Sequence, residues 1–567
     1  MTRQSGARFI AQTFHQYGVT HVFLVPAILL KACAEMESMG ITRVVAHGEK
    51  STAYMADGYA RASGRPGVCL AQHIGGSNLA AGLRDAYLAG SPVFAVTGGP
   101  ITATRYRHAY QDLEHFSQFD VTTKFNARVD DISRLSDLMQ TALREAVTGS
   151  PGPVHLEIRG HHAELTLAET DFPEAIDPRW SAVPPFRPRA EDASVAEALK
   201  ALELAERPII VAGGGVCWSG AQAEVAQLAE RLQIPVATSL NAKGTLVETH
   251  PLAVGVCGTY SRACANQAVA EADLVMFIGS HTGGQVTTNW KVPRPGTRII
   301  HLDIDPAEIG RNYATEIALV GDARTVLRQM LDALPARRAG GEVRERWLQT
   351  VRDHVTHWRS SLEALADSDA VPMRPERVCR ELSAVLPEGA VLVSDTGHSG
   401  IWTGALVEFT RPGQRMIRCA GSLGWALPGA IGVKCALPDT PVIAFAGDGG
   451  FYYHLAELET AARYGINVIF LVNNNSSLNQ EIPLIDDAYA QKPTQGSRDL
   501  WGFRDVNFAT IAEQMGCLGI RVERPDQLPG AFAKALAARR PVVLDVVTDH
   551  RAMAPKAWTG LPGGGGH

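Results

Sequence analysis

The stretch AGDGGFYYHLAELETAARYGINVIFLVNNNSSLNQ, Ala446 to Gln480, sets hard oxygen ligands and glycines at the ends of two apolar runs. Val442–Asp448 reads as a buried strand closing on Asp448 between glycines. Val468–Asn474 reads as a second, closing on Asn473-Asn474. A helix between them makes the strands parallel and brings their carboxyl ends together. Asp448 and Asn474 then offer a carboxylate and an amide oxygen to Mg²⁺ or Ca²⁺. Of these, Mg²⁺ keeps few protein ligands and shares the rest with phosphate oxygens. Gly447, Gly449 and Gly450 let backbone approach a phosphate, and the helix start offers free N–H donors. Read alone, G-D-G is an ordinary turn with Asp as a helix N-cap. The Asn pair at the next strand end tips the reading toward metal and diphosphate.

A second carboxylate stands in AHGEKSTAYMADGYARASGRPGV, Ala46 to Val68. Glu49 follows a strand ending at Val45 and opens a small-residue helix, where the dipole alone would favour a carboxylate. A third strand, in VLVSDTGHSGIW, ends at Asp395, and Thr396, Gly397, His398 and Ser399 open a helix suited to the same diphosphate.

The pairing of G-D-G with N-N resembles the cofactor motif of thiamine-diphosphate enzymes, and the chain is similar to their acetolactate synthase-like members. The resemblance covers nearly the whole chain in family order. It implies that Asp448, Asn474 and the carbonyl of Ser476 hold Mg²⁺. It also implies that Ser422, Gly449, Gly450, Ser476, Ser477 and Leu478 line thiamine diphosphate with the Thr396–Ser399 run. In this family a Glu precedes an A-x-G-Y-A-R-x-x-G run, as Glu49 does. It bonds the pyrimidine N1′, so that the coenzyme's own 4′-nitrogen takes the C2 proton. The run CAGSLGWALPGAIGVK, Cys419 to Lys434, is similar to the family's G-x-M-G-x-x-L-P-A-A-I-G-A, which places Leu423 under the thiazolium to bend the coenzyme.

These groups must be positioned by three α/β blocks. Apolar runs at Val68–Ala71, Val93–Gly98, Val154–Ile158, Pro208–Gly215, Asp273–Ser280 and Arg298–Asp305 read as buried strands. Ser51–Ser63, Ala221–Leu232 and Leu455–Tyr464 read as amphipathic helices. Such alternation implies doubly wound parallel sheets with ligands beyond the strands' carboxyl ends. With 567 residues, about three domains are expected: 1–170 for the pyrimidine, 190–335 as a central domain, and 370–550 for diphosphate and metal. Asp171–Asp192 and Leu334–Glu376 read as linkers, the latter with a helical middle, and Gly563–His567 as a disordered tail.

A net charge of -6 without a Lys/Arg block gives no footprint for nucleic acid. Val22–Leu30 is too short to cross a membrane, and the sequence before it lacks a secretory pattern. Nine scattered cysteines without C-x-x-C imply reduced thiols and a cytoplasmic protein. No strand leads into a full G-x-G-x-x-G, which argues against a nicotinamide dehydrogenase. Glu49, Asp448 and Asn474 together argue against a scaffold that has lost its chemistry.

The resemblance implies a small carbonyl substrate, such as a 2-oxo acid, and carboligation or lyase chemistry. Decarboxylation or diketone hydrolysis on the same scaffold is the alternative. Gln111 and Lys124 match a family Gln and Lys that approach the site. The departures fall at Ala27 and Ile28, which would narrow and dry the pocket, and at His73 and Asn479, which would add donors. His73 reads equally as a core histidine. His161-His162 reads as a solvated pair. Gly213-Gly214-Gly215 follows a strand and could face a nucleotide. Some members bind FAD in the central domain, others ADP or nothing. Flavin-binding members carry an R-F-D-D-R-type segment where this chain has Ser280–Gly284, so FAD is left open without that arginine. The family's site lies between subunits, which implies a homodimer or homotetramer.

Overall fold

The computed structural model describes residues 1–174, 176–334 and 341–560. The expected tail Gly563–His567 lies outside the described residues.

Three parallel six-stranded sheets, each flanked by helices, form three α/β domains. In the first, the spatial order is Thr42–Val45, His21–Leu24, Gly67–Ala71, Val93–Gly98, Val154–Ile158 and Phe125–Val129. In the second it is Ala253–Val256, Val236–Thr238, Pro208–Ala212, Leu274–Ile278, Arg298–Asp303 and Ile317–Val320. In the third it is Arg415–Arg418, Val391–Ser394, Val442–Gly447, Ile469–Asn474, Val542–Val547 and Leu518–Val522. In each sheet the chain starts inside, steps to one side, then returns to build the other. A topological switch point results, where open α/β sheets place ligands. The observed strands match the apolar runs to within a few residues. They are nearly continuous Val, Ile, Leu, Phe and Ala because both faces are covered.

Sequence reading did not anticipate the antiparallel pair Thr2–Ser5 with Glu169–Phe172, which ties the chain's start to the end of the first domain. Nor is the stretch after Leu334 a free connector. Glu342–Ala366 is a 25-residue helix whose Trp347, Leu348 and Val351 are buried on the second domain. Its Arg344 donates to the Leu202, Ala205 and Leu232 carbonyls, and Trp347 Nε1 to Pro208 O at 3.0 Å. These carbonyls would otherwise be orphaned.

The first and third domains share one core. The helix Glu49–Ser63 crosses the helix Ala426–Ala436 at glycines: a Cβ on Gly58 would lie 2.0 Å from Gly429 O, and one on Gly432 would lie 1.8 Å from Met55 O. Only hydrogen side chains let these backbones meet.

Candidate active site

Three adjacent strands of the third sheet end side by side and carry the candidate ligands. Gly447 and Asn473 are register partners, so Asp448 and Asn474 emerge together. Asp448 Oδ1 accepts from Gly449 N at 2.9 Å, and Oδ2 from Ser477 N at 3.0 Å. Burial pushes its carboxyl up to about 7 against these bonds. Asp448 has no cationic partner among the described residues.

Asn474 is oriented by its amide nitrogen, which donates to Asp545 Oδ1 at 2.8 Å and Val506 O at 3.0 Å. Its Oδ1 is therefore turned to the loop, where it meets Ser476 N at 3.4 Å. Ser476 adopts the left-handed region (φ 54), and its carbonyl accepts from Phe503 N at 2.7 Å, which leaves one lone pair. Asn473 Oδ1, not singled out from sequence, is buried without a partner. A buried uncompensated carboxylate with oriented amide and carbonyl oxygens fits a hard divalent cation. Ser477 and Leu478 complete the turn. A Cβ on Gly449 would lie 2.5 Å from Leu478 Cδ2, so Leu478 packs directly over the Gly449 backbone.

Gly397 holds φ 65, ψ -146, a conformation for glycine, and turns the chain into His398. Thr396 N donates to Asp395 Oδ1 at 2.8 Å. His398 Nδ1 donates to Asn479 Oδ1 at 2.9 Å, and Ser399 Oγ lies 3.5 Å from where a Gly447 Cβ would stand. The Thr396–Ser399 run thus lies beside the G-D-G turn. The following Trp402–Leu406 is a π-turn.

Leu423 is held in place by carboxylates on both flanks. Asp85 of the first domain accepts from the backbone N–H of Ala420, from Gly421 at 3.3 Å and from Ser422 at 3.2 Å. Asp395 accepts from Gly424 N at 3.0 Å and Ala426 N at 3.1 Å, and burial pushes it up to about 6. Asp57 accepts from Trp425 Nε1 at 2.9 Å and from Arg61 Nε at 2.8 Å. Leu423 Cδ1 lies 3.3 Å from the Cβ position of Gly450. Asp57, Asp85 and Asp395 were missed as functional residues. The only sequence signal was an Asp closing a strand before Thr-Gly, and Asp57 and Asp85 had none.

Glu49 opens its helix as expected. Its Oε2 accepts from Asn78 Nδ2 at 3.1 Å, and its Oε1 crowds Gly75, where a Cβ would come within 2.5 Å. The next residues dock on the segment after G-D-G-G: Lys50 Nζ lies 5.5 Å from the Tyr453 ring, and Ser51 Oγ bonds His454 Nδ1 at 2.8 Å.

Other expectations need correction. Ile28 is buried in the first domain's core, so its side chain packs the domain and does not narrow a pocket; Ala27 stays half-buried on a left-handed turn (φ 78) and gives its carbonyl to His162. His73 is buried with Nδ1 on Gly98 O at 3.3 Å and Nε2 accepting from Leu113 N at 3.2 Å, the core-histidine alternative. His161 is buried and stacks on His73 at 4.9 Å, so only His162 of that pair is solvated. Asn479 gives its amide nitrogen to His550 O and Ala552 O, so it orients His398 and has no donor left for a pocket. Lys124 is bound to Thr148 O and Ser150 O at 2.8 and 2.7 Å. Gln111 sits on a partly exposed left-handed turn (φ 61), and its side chain makes no hydrogen bond among the described residues. The N–H groups of Gly213 and Gly215 bond Ile278 O and Gly279 O, so the glycine run packs strand ends and has only Gly214 N–H left for a ligand.

Family models match in the same order as the sheets. The thiamine pyrophosphate enzyme N-terminal TPP binding domain matches residues 4–119, the central domain 195–330, and the C-terminal TPP binding domain 395–546. The chain belongs to the thiamine pyrophosphate enzyme family. It is 31% identical over 563 residues to a probable acetolactate synthase large subunit of Methanocaldococcus jannaschii, covering 97% of this chain and 93% of that one. It is 30% identical to the acetolactate synthase large subunit of Corynebacterium glutamicum, covering 97% and 88%. The acetolactate synthase of Arthrospira platensis is 31% identical, covering 96% and 94%. Both matched TPP binding domains contain the residues just described: Glu49 and Asp85 fall in the first, Asp395, Leu423, Asp448 and Asn474 in the second. Among the described residues, no helix is long and apolar enough to cross a membrane.

Proposed function

We propose that this chain is a carboligase or lyase that uses thiamine diphosphate and Mg²⁺ on a 2-oxo acid or related carbonyl compound. One observation carries the reading: the first turn of the Glu49 helix docks on the segment that follows the Asp448 turn. The carboxylate and the cation site thus belong to two domains that share a core, with Leu423 against the Gly450 turn. Residues 1–170 would hold the aminopyrimidine and 370–550 the diphosphate, with 190–335 between them.

Bound here, thiamine diphosphate would supply a carbon nucleophile and an electron sink. The chain's own residues do the rest. Asp448, Asn474 Oδ1 and the Ser476 carbonyl would hold the cation. The Thr396–Ser399 run and the Gly449–Gly450 turn would take the diphosphate. Leu423, fixed between Asp85 and Asp395, would set the coenzyme's bend. Glu49, steadied by Asn78, would hold a proton at the pyrimidine edge. Asn479 would fix His398 as the Nδ1–H tautomer, with Nε2 free for a ligand.

The unbridged cysteines support a reducing, cytoplasmic setting. Large apolar side chains exposed on both domains, among them Tyr110, Leu113, Phe503 and Leu500, support a homodimer or homotetramer that covers them. Gln111 would reach a substrate only after such covering. Glu49→Gln should reduce turnover by at least about 100-fold while coenzyme binding, followed by calorimetry, stays within about threefold. Retained turnover would remove Glu49 from the reaction. Incubation with pyruvate and aldehyde acceptors, with products read by mass spectrometry, separates ligation from decarboxylation or hydrolysis, which yield single-carbonyl products.

A further inference from the structure

The helical segment His398–Leu406 begins in the Thr396–Ser399 run and ends against the second domain. His398–Ile401 is α-helical, and Trp402–Leu406 is the π-turn. The segment is braced internally: Ile401 N donates to Gly397 O at 3.2 Å, and Thr403 Oγ1 to Ser399 O at 2.7 Å. Thr403 Oγ1 also meets Ser394 Oγ, on the preceding strand, at 2.7 Å. The last four carbonyls of a helix have no partner inside it. Two of them are taken here by side chains of another domain. Lys243 Nζ donates to Gly404 O at 3.1 Å, and Arg262 Nε to Ala405 O at 2.7 Å.

Both cations are buried, and they share one buried acid. Glu248 Oε1 is 2.9 Å from Lys243 Nζ, and its Oε2 is 3.1 Å from Arg262 Nη2. That Oε2 also accepts from Phe409 N at 2.7 Å, just past the π-turn. Glu408 lies 3.8 Å from Arg262 but is held by Arg359 at 3.0 Å. Burial pulls Lys243 down to about 8, which leaves it charged near pH 7. The second positive charge thus falls on the carbonyls, at the negative end of the helix dipole. The segment also lies flat on the second domain. On Gly400 and Gly404, four apart and so on one face, an added Cβ would come 3.0 Å from the Tyr260 ring and 2.5 Å from Leu240 Cδ2. Fixing the far end of so short a segment also fixes its start, where Gly397 turns the chain into His398.

We propose that Lys243 and Arg262 are positioning residues for the coenzyme site: by holding the Gly404 and Ala405 carbonyls, they set where the Thr396–Ser399 run meets a diphosphate. The second domain then acts on the coenzyme through the fold, without touching it. This role rests on the diphosphate reading of that run given above.

The test uses the full chain with saturating Mg²⁺ and compares the parent with Lys243→Met and Arg262→Met. Each variant leaves Glu248 one cation, so no buried acid is stranded and both should fold. If one does not, the other decides. Calorimetry follows thiamine diphosphate and, in competition with it, inorganic diphosphate, which probes that half of the site alone. Both ligands should bind each variant about tenfold more weakly, as when a residue that orients a ligand group is lost. Arg262→Lys keeps a charged donor and should recover affinity to within about threefold of the parent. A purely structural role would lower the unfolding midpoint of the methionine variants and leave both affinities at the parent's values, which overturns the proposal. A parent that itself fails to bind thiamine diphosphate would overturn the coenzyme reading and this role with it, so the two failures are told apart.

Discussion

Asp448 in the third domain and Glu157 in the first are both buried carboxylates pushed up to about 7 by burial, yet their surroundings differ. Asp448 faces the amides of Gly449 and Ser477 and has no cation. Glu157 has Arg128 Nε at 2.6 Å. His115, His155 and His73 crowd around Glu157, but His73 and His155 each engage both ring nitrogens with neighbours. His115 Nε2 lies 3.6 Å from Glu157 Oε2, but burial holds it down at about 4, so it is neutral near pH 7 and this contact is no ion pair. The difference teaches that a buried ionisable group marks a ligand site only where its charge is left uncompensated. By that criterion Asp448 is the candidate for a ligand site, and the histidine cluster is internal structure.

The comparison breaks most directly at Asp448. Asp448→Ala should lower thiamine diphosphate affinity at fixed Mg²⁺ by about 1,000-fold, about 4 kcal/mol, with no loss of ligand-free stability. Calorimetric titration and unfolding of the ligand-free enzyme check the two halves. A destabilised ligand-free variant would mean that the carboxylate is structural.

The mirror experiment is Arg128→Met. It strips the cation from Glu157 and should cost about 2–3 kcal/mol of stability, less than a fully buried pair because the Arg128 side chain is 27% exposed. Coenzyme affinity should stay within a few-fold. Urea unfolding with a parallel binding titration decides it, and a loss of affinity without a loss of stability would reverse the assignment.

The parallel sheets were legible because their strands are apolar on both faces, as were the positions of Asp448, Asn474 and Glu49 at strand or helix ends; the roles proposed for them came from the resemblance. Asp85 and Asp395 were not legible. What they hold is backbone amide, which has no sequence signature, and Asp85 lies 335 residues from its first partner, Ala420. Ile28 and Asn479 were misread for a related reason. As sequence, a polar or bulky residue in a motif looks like a pocket wall. Only the fold shows that Asn479 faces two carbonyls, or that Ile28 belongs to the first domain's core.

A finer test lies in the pH dependence of the histidine cluster. Glu157 sits at about 7 against an ordinary 4.5, so the folded chain holds its proton more tightly; the stability this gives is present below 4.5 and is lost as pH rises to 7. His115 sits at about 4 against an ordinary 6.5, so the unfolded chain takes its proton first, and stability rises from pH 4 to 6.5. Between pH 4.5 and 6.5 the two slopes oppose and largely cancel. Glu157→Gln removes one of them. The variant should therefore lose about 1–2 kcal/mol relative to the parent on acidification through this window, read from urea unfolding at its two ends. Parallel profiles for the two proteins would mean that Glu157 holds its proton equally in the folded and unfolded chain, so that Arg128 compensates its charge in full against burial.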